Sequence, residues 1–191
     1  MIPEQELKDY LSSSGAFLEG HFLLSSGLHS PNYVQCAQAL KSPAWAGRMG
    51  AALAEGWTGP RPDVVLSPAM GGLIIGHEVA RAFGVDFLFT ERENNEMTLR
   101  RGFALKKGQR LIIVEDVFTT GKSTLETAAV AGAAGAEVIG AMSVINRMGD
   151  RTLPFGALSL LKLGLETWQP GSCPLCAAGL PVVKPGSRKF A

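Results

Sequence analysis

Two acidic residues stand at the end of a short apolar run, directly before a stretch rich in hydroxyl groups. Residues 111–114 read Leu-Ile-Ile-Val, Glu115 and Asp116 follow, and residues 119–124 read Thr-Thr-Gly-Lys-Ser-Thr. Open α/β sheets bind ligands at the carboxyl ends of their strands, and the free N–H groups at a helix start attract phosphate. Because two acids would repel a phosphate, they are better suited to the hydroxyls of a ribose. The segment therefore predicts a sugar-phosphate site.

Two common nucleotide-binding motifs do not fit the glycines of this chain. Gly121-Lys122-Ser123 resembles the end of a P-loop, but that motif needs a glycine at position 116, where this chain has Asp116. The glycines at 71, 72 and 76 do not have the spacing of a Rossmann fingerprint. Both classes are therefore excluded.

The elements that would position the acids alternate along the chain. Short apolar strands alternating with helices predict βαβ units and a parallel sheet with both faces covered, which is an α/β fold. The predicted strands are residues 64–66, 85–90, 111–114 and 138–145, and the predicted helices include 4–13, 43–55, 72–83 and 123–134.

Length and composition restrict the class of protein. The 191 residues are 46% hydrophobic with a formal net charge of +1, which fits one folded domain and disfavours a dedicated nucleic-acid binder. No signal peptide and no membrane span are predicted. Three cysteines do not make a disulfide framework, so we expect a cytoplasmic, reduced protein.

Residues 114–123 resemble the phosphoribosyl-pyrophosphate loop of the type I phosphoribosyltransferases. The resemblance implies a central, mostly parallel sheet flanked by helices, with a small hood formed by about residues 1–40 and 150–191 over a core of about 60–149. It implies that Glu115 and Asp116 bind the ribose hydroxyls and that the loop after them binds the 5-phosphate. The implied binding loop is Glu115, Asp116, Val117, Phe118, Thr119, Thr120, Gly121, Lys122, Ser123 and Thr124.

Further segments resemble the orotate phosphoribosyltransferases in particular. Residues 20–33 resemble their hood, although Ser25 stands where a lysine is frequent. The family's pyrophosphate loop falls on Ala69, Met70, Gly71 and Gly72. Residues 91–102 fall on its flexible catalytic loop, where Arg92 matches and the usual lysines and histidine are missing. We expect Arg100 and Arg101 to supply that positive charge, so the implied catalytic residues are Arg92, Arg100, Arg101 and Asp116.

Arg147 is the clue to the substrate. It follows the strand predicted at 138–145, where the orotate enzymes have an arginine that pairs with the orotate carboxylate, and Thr119 is expected to touch the same base. The resemblance also implies Mg²⁺ as cofactor and a homodimer. Two alternatives stay open: a purine phosphoribosyltransferase, and a non-catalytic regulator that senses nucleotides with the same fold.

Cys173 and Cys176 form a Cys-x-x-Cys pair near the carboxyl terminus. Structural zinc needs four ligands, and no second spaced pair exists in the sequence. Cys36, His21, His29 and His77 could in principle complete such a set. The default interpretation is that the two cysteines are small apolar packing residues of the hood, so no protein-bound metal is predicted.

Overall fold

A computed structural model of the chain describes residues 1–24 and 26–185. The position of the missing hood lysine, Ser25, lies outside the described residues. Eight strands and six α-helices follow one another within them, together with a 3-10 turn at Pro170–Ser172. In chain order they are α1 (Glu4–Ser13), β1 (Phe17–Leu23), β2 (His29–Val34), α2 (Cys36–Leu40), α3 (Pro43–Gly56), β3 (Val64–Pro68), α4 (Gly72–Phe83), β4 (Asp86–Glu93), β5 (Glu96–Leu99), β6 (Arg110–Phe118), α5 (Lys122–Ala133), β7 (Glu137–Asn146), β8 (Ala157–Lys162) and α6 (Pro174–Ala177).

The central sheet has six strands in the order β5-β4-β3-β6-β7-β8. All neighbouring pairs are parallel except β4–β5, which is antiparallel. The innermost strands are apolar because helices cover both faces, and every residue of β3 is buried. The predicted mostly parallel α/β sheet is therefore confirmed.

Alternate side chains of the central strands separate two hydrophobic layers. Val65, Ile112 and Val114 pack on one face with residues of α1 to α4. Val64, Leu66 and Ile113 point to the opposite face, where Ala131 of α5 packs. This period of two is what places consecutive residues of β6 on opposite sides of the sheet.

The chain end after residue 150 is divided between two parts of the molecule. The sequence assigned this region to the hood, but Ala157–Lys162 forms β8, which pairs with β7 and extends the central sheet. The segment after β8 instead reaches the hairpin β1–β2. Single bridges join Phe22 to Val183 and His29 to Trp168. Among the described residues, no helix is long and apolar enough to cross a membrane.

Candidate active site

The acid pair lies where the apolar run of β6 ends. Val114 is fully buried, whereas Glu115 and Asp116 are only partly buried. The strand continues through Phe118, four residues farther than the apolar run predicted, because β7 pairs with it as far as Asn146. The two acids therefore sit on rigid backbone at the carboxyl edge of the sheet.

Burial strongly perturbs both carboxyl groups. Burial and, secondarily, the neighbouring Asp116 raise the pKa of Glu115 to about 8. Burial also raises the pKa of Asp116, against the effect of the Val117 backbone N–H, which donates to Asp116 Oδ1 at 2.8 Å. Glu115 Oε2 is buried and has no hydrogen-bond partner within the described residues. An unpartnered buried oxygen at a strand end fits a ligand hydroxyl.

The loop after the acids forms a small pocket at the start of α5. Gly121 caps the helix with φ 75°, a left-handed conformation that glycine adopts without strain. Thr120 Oγ1 accepts from the Lys122 N–H at 3.3 Å. The first N–H groups of a helix have no acceptor within it, so they are available to an anion. The pocket is lined by Glu115, Val117, Phe118, Thr119, Thr120, Gly121, Lys122, Ser123 and Thr124.

The loop between β3 and α4 packs directly against Asp116. A Cβ atom on Gly71 would lie 2.7 Å from Asp116 Oδ1, and one on Gly72 would lie 2.6 Å from the Val114 carbonyl oxygen. Only glycine fits such close approach. Ala69 precedes a cis peptide bond, and the Met70 side chain is 82% exposed. The loop thus brings backbone rather than a cation to the acid pair.

Arg147 lies beside the same pocket at the end of β7. Its backbone N–H donates to the Phe118 carbonyl oxygen at 2.8 Å. Its Nε atom is buried without a hydrogen-bond partner within the described residues, and burial lowers the pKa of the guanidinium. Tyr33 of β2 interacts electrostatically with it, and burial raises the pKa of that phenol. A half-buried cation whose buried Nε is an unused donor among the described residues fits an anionic ligand.

Residues 91–102 form a hairpin rather than a loop. β4 continues past Thr90 to Glu93 and pairs with β5. Asn94 and Asn95 make the turn with φ values of 51° and 67°, as a two-residue hairpin of the primed type requires. We call Thr90 through Arg101 the arginine hairpin.

Arg92 points from this hairpin to the helix that carries the pocket. Its guanidinium pairs with Glu126 of α5 and also donates to the Asn95 carbonyl oxygen at 2.9 Å. Lys122, a pocket residue, lies 3.8 Å from the other oxygen of Glu126. Glu126 therefore connects Arg92 to the edge of the pocket.

The other two arginines are paired within the hairpin itself. Arg101 Nη2 lies 3.0 Å from Glu91 Oε2, and Arg100 Nη2 lies 3.2 Å from Glu93 Oε1. Neither arginine lines the pocket beside α5. Their positive charge is thus balanced by two glutamates of the hairpin, Glu91 and Glu93.

Comparison with known proteins gives a family for this chain. A family model described as the phosphoribosyl transferase domain matches residues 52–171. An orotate phosphoribosyltransferase of Desulforamulus reducens is 45% identical over 97% of this chain and 98% of its own length. One from Caldanaerobacter subterraneus subsp. tengcongensis is 49% identical over 90% of this chain and 91% of its own. This chain belongs to the phosphoribosyltransferase family. Both of these relatives are orotate phosphoribosyltransferases.

Solved structures of phosphoribosyltransferases share the fold. The orotate phosphoribosyltransferase of Aeropyrum pernix is 25% identical, with a TM-score of 0.63 over 82% of this chain and 93% of that one. An adenine phosphoribosyltransferase from Thermoanaerobacter pseudethanolicus is 18% identical, with a TM-score of 0.58 over 69% of this chain and 88% of that one. The second likeness shows the fold alone, because both substrate classes use the same architecture.

Within this phosphoribosyltransferase, the structure separates the residues singled out from the sequence into two groups. The acid pair, the loop to Thr124, the glycines 71 and 72, and Arg147 surround one edge of the sheet. Arg92, Arg100 and Arg101 are held in ion pairs outside it.

Two further residues near this edge of the sheet were given no role in the phosphate site from the sequence. Cys36 is buried with its Sγ 3.7 Å from the Asp116 carbonyl oxygen, and Ser67 Oγ is buried without a partner among the described residues. A Cβ atom on Gly76 would lie 2.1 Å from that hydroxyl. Ser67 ends an otherwise apolar strand, which is the only signal that could have indicated it.

Proposed function

We propose that this chain transfers the phosphoribosyl group of phosphoribosyl pyrophosphate to orotate, giving orotidine 5'-phosphate and pyrophosphate in pyrimidine biosynthesis. The observation that carries the proposal is the buried Nε of Arg147, which has no hydrogen-bond partner among the described residues and belongs to a residue whose backbone is bonded to Phe118 of the pocket. An anionic base can form an ion pair with such a cation, whereas a neutral purine cannot. The names of the relatives at 45% and 49% identity support the same substrate.

Different residues of the pocket bind the ribose and the phosphate of the substrate in this proposal. Glu115 and Asp116 face the ribose hydroxyls, and the free Glu115 Oε2 supplies a hydrogen-bonding site for one of them. The backbone from Thr119 to Thr124 and its hydroxyls receive the 5-phosphate at the start of α5. The glycine loop at 71 and 72 lets backbone N–H groups approach the pyrophosphate. Thr119 and Arg147 contact orotate.

The reaction needs no protein base in this proposal. The orotate ring nitrogen, already anionic, forms the bond to the anomeric carbon as the bond from that carbon to the pyrophosphate oxygen breaks. The electron pair of the broken bond leaves with pyrophosphate. The protein contributes orientation and stabilisation of the developing charge. Arg92, Arg100 and Arg101 would exchange their glutamate partners for the leaving group as the arginine hairpin closes over the site and excludes water.

Mg²⁺ is the proposed cofactor. Carboxylate oxygens are ligands that this cation prefers, and Glu115 has one buried oxygen without a partner among the described residues. The acid pair therefore fits the ion, and Glu115 would lose its proton when the ion binds. Mg²⁺ would supply charge neutralisation on the pyrophosphate. The chain's own part is to hold the two carboxyl groups fixed at the strand end.

We also propose a homodimer and a cytoplasmic location. Family membership supports the first and three unpaired cysteines support the second. Light scattering on the purified full chain, with and without phosphoribosyl pyrophosphate, tests the dimer: a mass of one chain throughout would contradict it.

The activity is tested with the purified chain, Mg²⁺, phosphoribosyl pyrophosphate and orotate, by following the loss of orotate absorbance. Adenine, guanine, hypoxanthine and uracil are assayed in parallel. We expect turnover with orotate alone. Turnover of a purine would replace the proposed substrate and keep the phosphate loop. Tight binding of phosphoribosyl pyrophosphate without turnover of any base would favour a regulator.

A further inference from the structure

Four potential metal ligands from the two ends of the chain meet in one cluster. His21 lies on β1 and His29 on β2, whereas Cys173 and Cys176 flank the start of α6. Their ligand atoms all lie within 4.8 Å of one another. Both histidines and Cys173 are less than 7% exposed, and Cys176 closes the cluster on the solvent side. The second pair that the sequence lacked is thus supplied by folding.

Three of the six distances between the ligand atoms match a tetrahedral site. Cys173 Sγ lies 3.4 Å from His21 Nε2, and Cys176 Sγ lies 3.7 Å from that atom and 3.3 Å from His29 Nδ1. The two nitrogens are 2.8 Å apart. Ligand bonds of zinc at tetrahedral angles put such atoms about 3.3 to 3.8 Å apart. The nitrogen pair is closer than this range, and the two remaining pairs, Cys173 with His29 and Cys173 with Cys176, lie within 4.8 Å. Small side-chain rotations would bring the four atoms to equal distances from a shared ion.

A hydrogen bond outside the cluster orients one of the rings. His21 Nδ1 lies 2.9 Å from the Leu180 carbonyl oxygen. A carbonyl can only accept, so Nδ1 carries the proton and Nε2 presents its lone pair to the cluster. Metal-binding histidines are generally fixed in this way by a backbone carbonyl or a carboxylate. The ring is therefore prepared for a metal on Nε2.

Two other arrangements of these side chains need no metal. A disulfide would join Cys173 and Cys176, but both are free thiols, and it would give the two buried imidazole nitrogens no role. A simple hydrogen bond from His29 Nδ1 to His21 Nε2 would satisfy the rings and leave both sulfurs as bystanders. Only a shared ion uses all four atoms.

We propose that His21, His29, Cys173 and Cys176 bind a structural Zn²⁺ ion. The two thiols lose their protons to solvent as the ion binds, and the two imidazoles bind as neutral rings, so the site has no net charge. Two thiolates and two imidazoles are the borderline ligands that zinc prefers over magnesium or calcium, and a complete set of four leaves no open position for catalysis.

The proposed ion would fasten the hairpin β1–β2 to the carboxyl-terminal segment. The cysteines and histidines that meet here are 147 to 155 residues apart. The direct attachments between these parts include the bridges at Val183 and Trp168 and the Ser30 hydroxyl, which donates to the Glu166 carbonyl oxygen at 2.8 Å. Since β2 also carries Tyr33 toward Arg147, the ion would hold one wall of the base pocket. The zinc site itself does not depend on the proposed reaction.

The direct test is elemental analysis of the full chain, produced with zinc in the medium, kept reduced and desalted. We expect about one zinc ion per chain in the wild-type protein and a loss to below about a tenth of that in the Cys173→Ser, Cys176→Ser double variant. His77→Ala and Cys36→Ala are matched controls, because these two residues lie outside the cluster, and both should retain the metal. Replacement by Co²⁺ should give the visible absorption of a tetrahedral ion together with thiolate charge-transfer bands.

Several results would overturn the proposal. The wild-type chain could stay metal-free after the reduced protein is incubated with Zn²⁺, or it could contain iron in place of zinc. A Cys173–Cys176 disulfide could be found in protein purified under reducing conditions. The double variant could also retain the metal in full. A His21→Ala variant provides an independent check if the double variant does not fold, since it removes one ligand and keeps both thiols. Exhaustive chelation should lower the Tm of the wild type and leave that of the double variant unchanged.

Discussion

The pocket beside α5 and the arginine hairpin differ in how their charges are satisfied. In the pocket region, Glu115 Oε2 and Arg147 Nε are buried without hydrogen-bond partners among the described residues. In the hairpin, Arg92, Arg100 and Arg101 all have glutamate partners. In the hairpin the buried Glu91 Oε1 also lacks a hydrogen bond, but it lies 3.9 Å from Arg100 Nη1. The charges of the hairpin are therefore paired with one another, whereas the two pocket atoms have no partner among the described residues.

This difference indicates two ways of preparing a site. A buried unpaired polar atom costs free energy, about 1–3 kcal/mol, that a ligand can recover. Such a region is organised for the ligand in advance, with its backbone fixed by a strand end and a helix start. A partly exposed ion pair contributes little, about 0–1 kcal/mol, so a pyrophosphate can displace it at small cost. The pocket should thus govern binding, and the hairpin should govern the step in which charge develops.

The largest expected effect is at Asp116. Asp116→Asn should lower kcat/KM by about 100-fold or more, because it removes charge next to the proposed ribose site and disturbs the contact with Gly71. Steady-state kinetics with phosphoribosyl pyrophosphate as the varied substrate measures it. Asp63→Asn is the matched control, since Asp63 pairs with Arg110 at the opposite end of β6 and is exposed. Equal kinetics for the two variants would remove the pocket from the proposal.

The next effect should be specific for the base. Arg147→Ala should raise the KM for orotate by roughly 10- to 100-fold, because a desolvated charge partner is lost, and should leave the affinity for phosphoribosyl pyrophosphate nearly unchanged. Calorimetry with each substrate separates the two. Arg81→Ala, on exposed α4 surface, is the control. Equal losses for both substrates would mean that Arg147 only supports the loop through Phe118.

Local chemistry made the pocket predictable from the sequence. The acid pair, the hydroxyls and Gly121 occupy one continuous strand-loop-helix segment, so their proximity needs no knowledge of the rest of the fold. The alternating apolar strands likewise identified the parallel sheet. By contrast, β8 was missed because its half-buried edge position gives no strong pattern after Pro154 and Gly156.

Long-range pairing accounts for what the sequence could not provide. The hairpin at 91–102 depends on side-chain pairs such as Arg101 with Glu91, which local composition presents as solvated charges. The meeting of His21 with Cys173 joins residues 152 positions apart. Neither contact has a pattern in the local sequence, so both could be found only in the folded structure.

A pair of variants sharpens the role of the hairpin. Arg92→Ala should lower kcat by about 10-fold if the guanidinium moves to the departing pyrophosphate, since one charge-assisted contact is lost. Glu126→Gln removes the competing carboxylate and should leave kcat equal or higher. If the ion pair between them serves only to hold the hairpin on α5, both variants should instead lose the same activity. Pre-steady-state measurement of product formation distinguishes chemistry from product release.

The last expected effect concerns stability rather than activity, and it is a pH dependence caused by Glu115. Below pH 4.5 the carboxyl is protonated in both the folded and unfolded chains. As the pH rises, the unfolded chain loses this proton, whereas the folded chain keeps it until about pH 8. Folding is therefore disfavoured increasingly across this window, by on the order of 3 kcal/mol at pH 7.

Denaturant titrations of the wild type and Glu115→Gln between pH 5 and about 8 measure the difference. The variant should gain stability relative to the wild type as the pH rises, while Glu19→Gln, an exposed carboxyl on β1, should not. Parallel curves for all three proteins would mean that Glu115 is solvated. The contrast between the pocket and the hairpin would then no longer be supported by the Glu115 carboxyl.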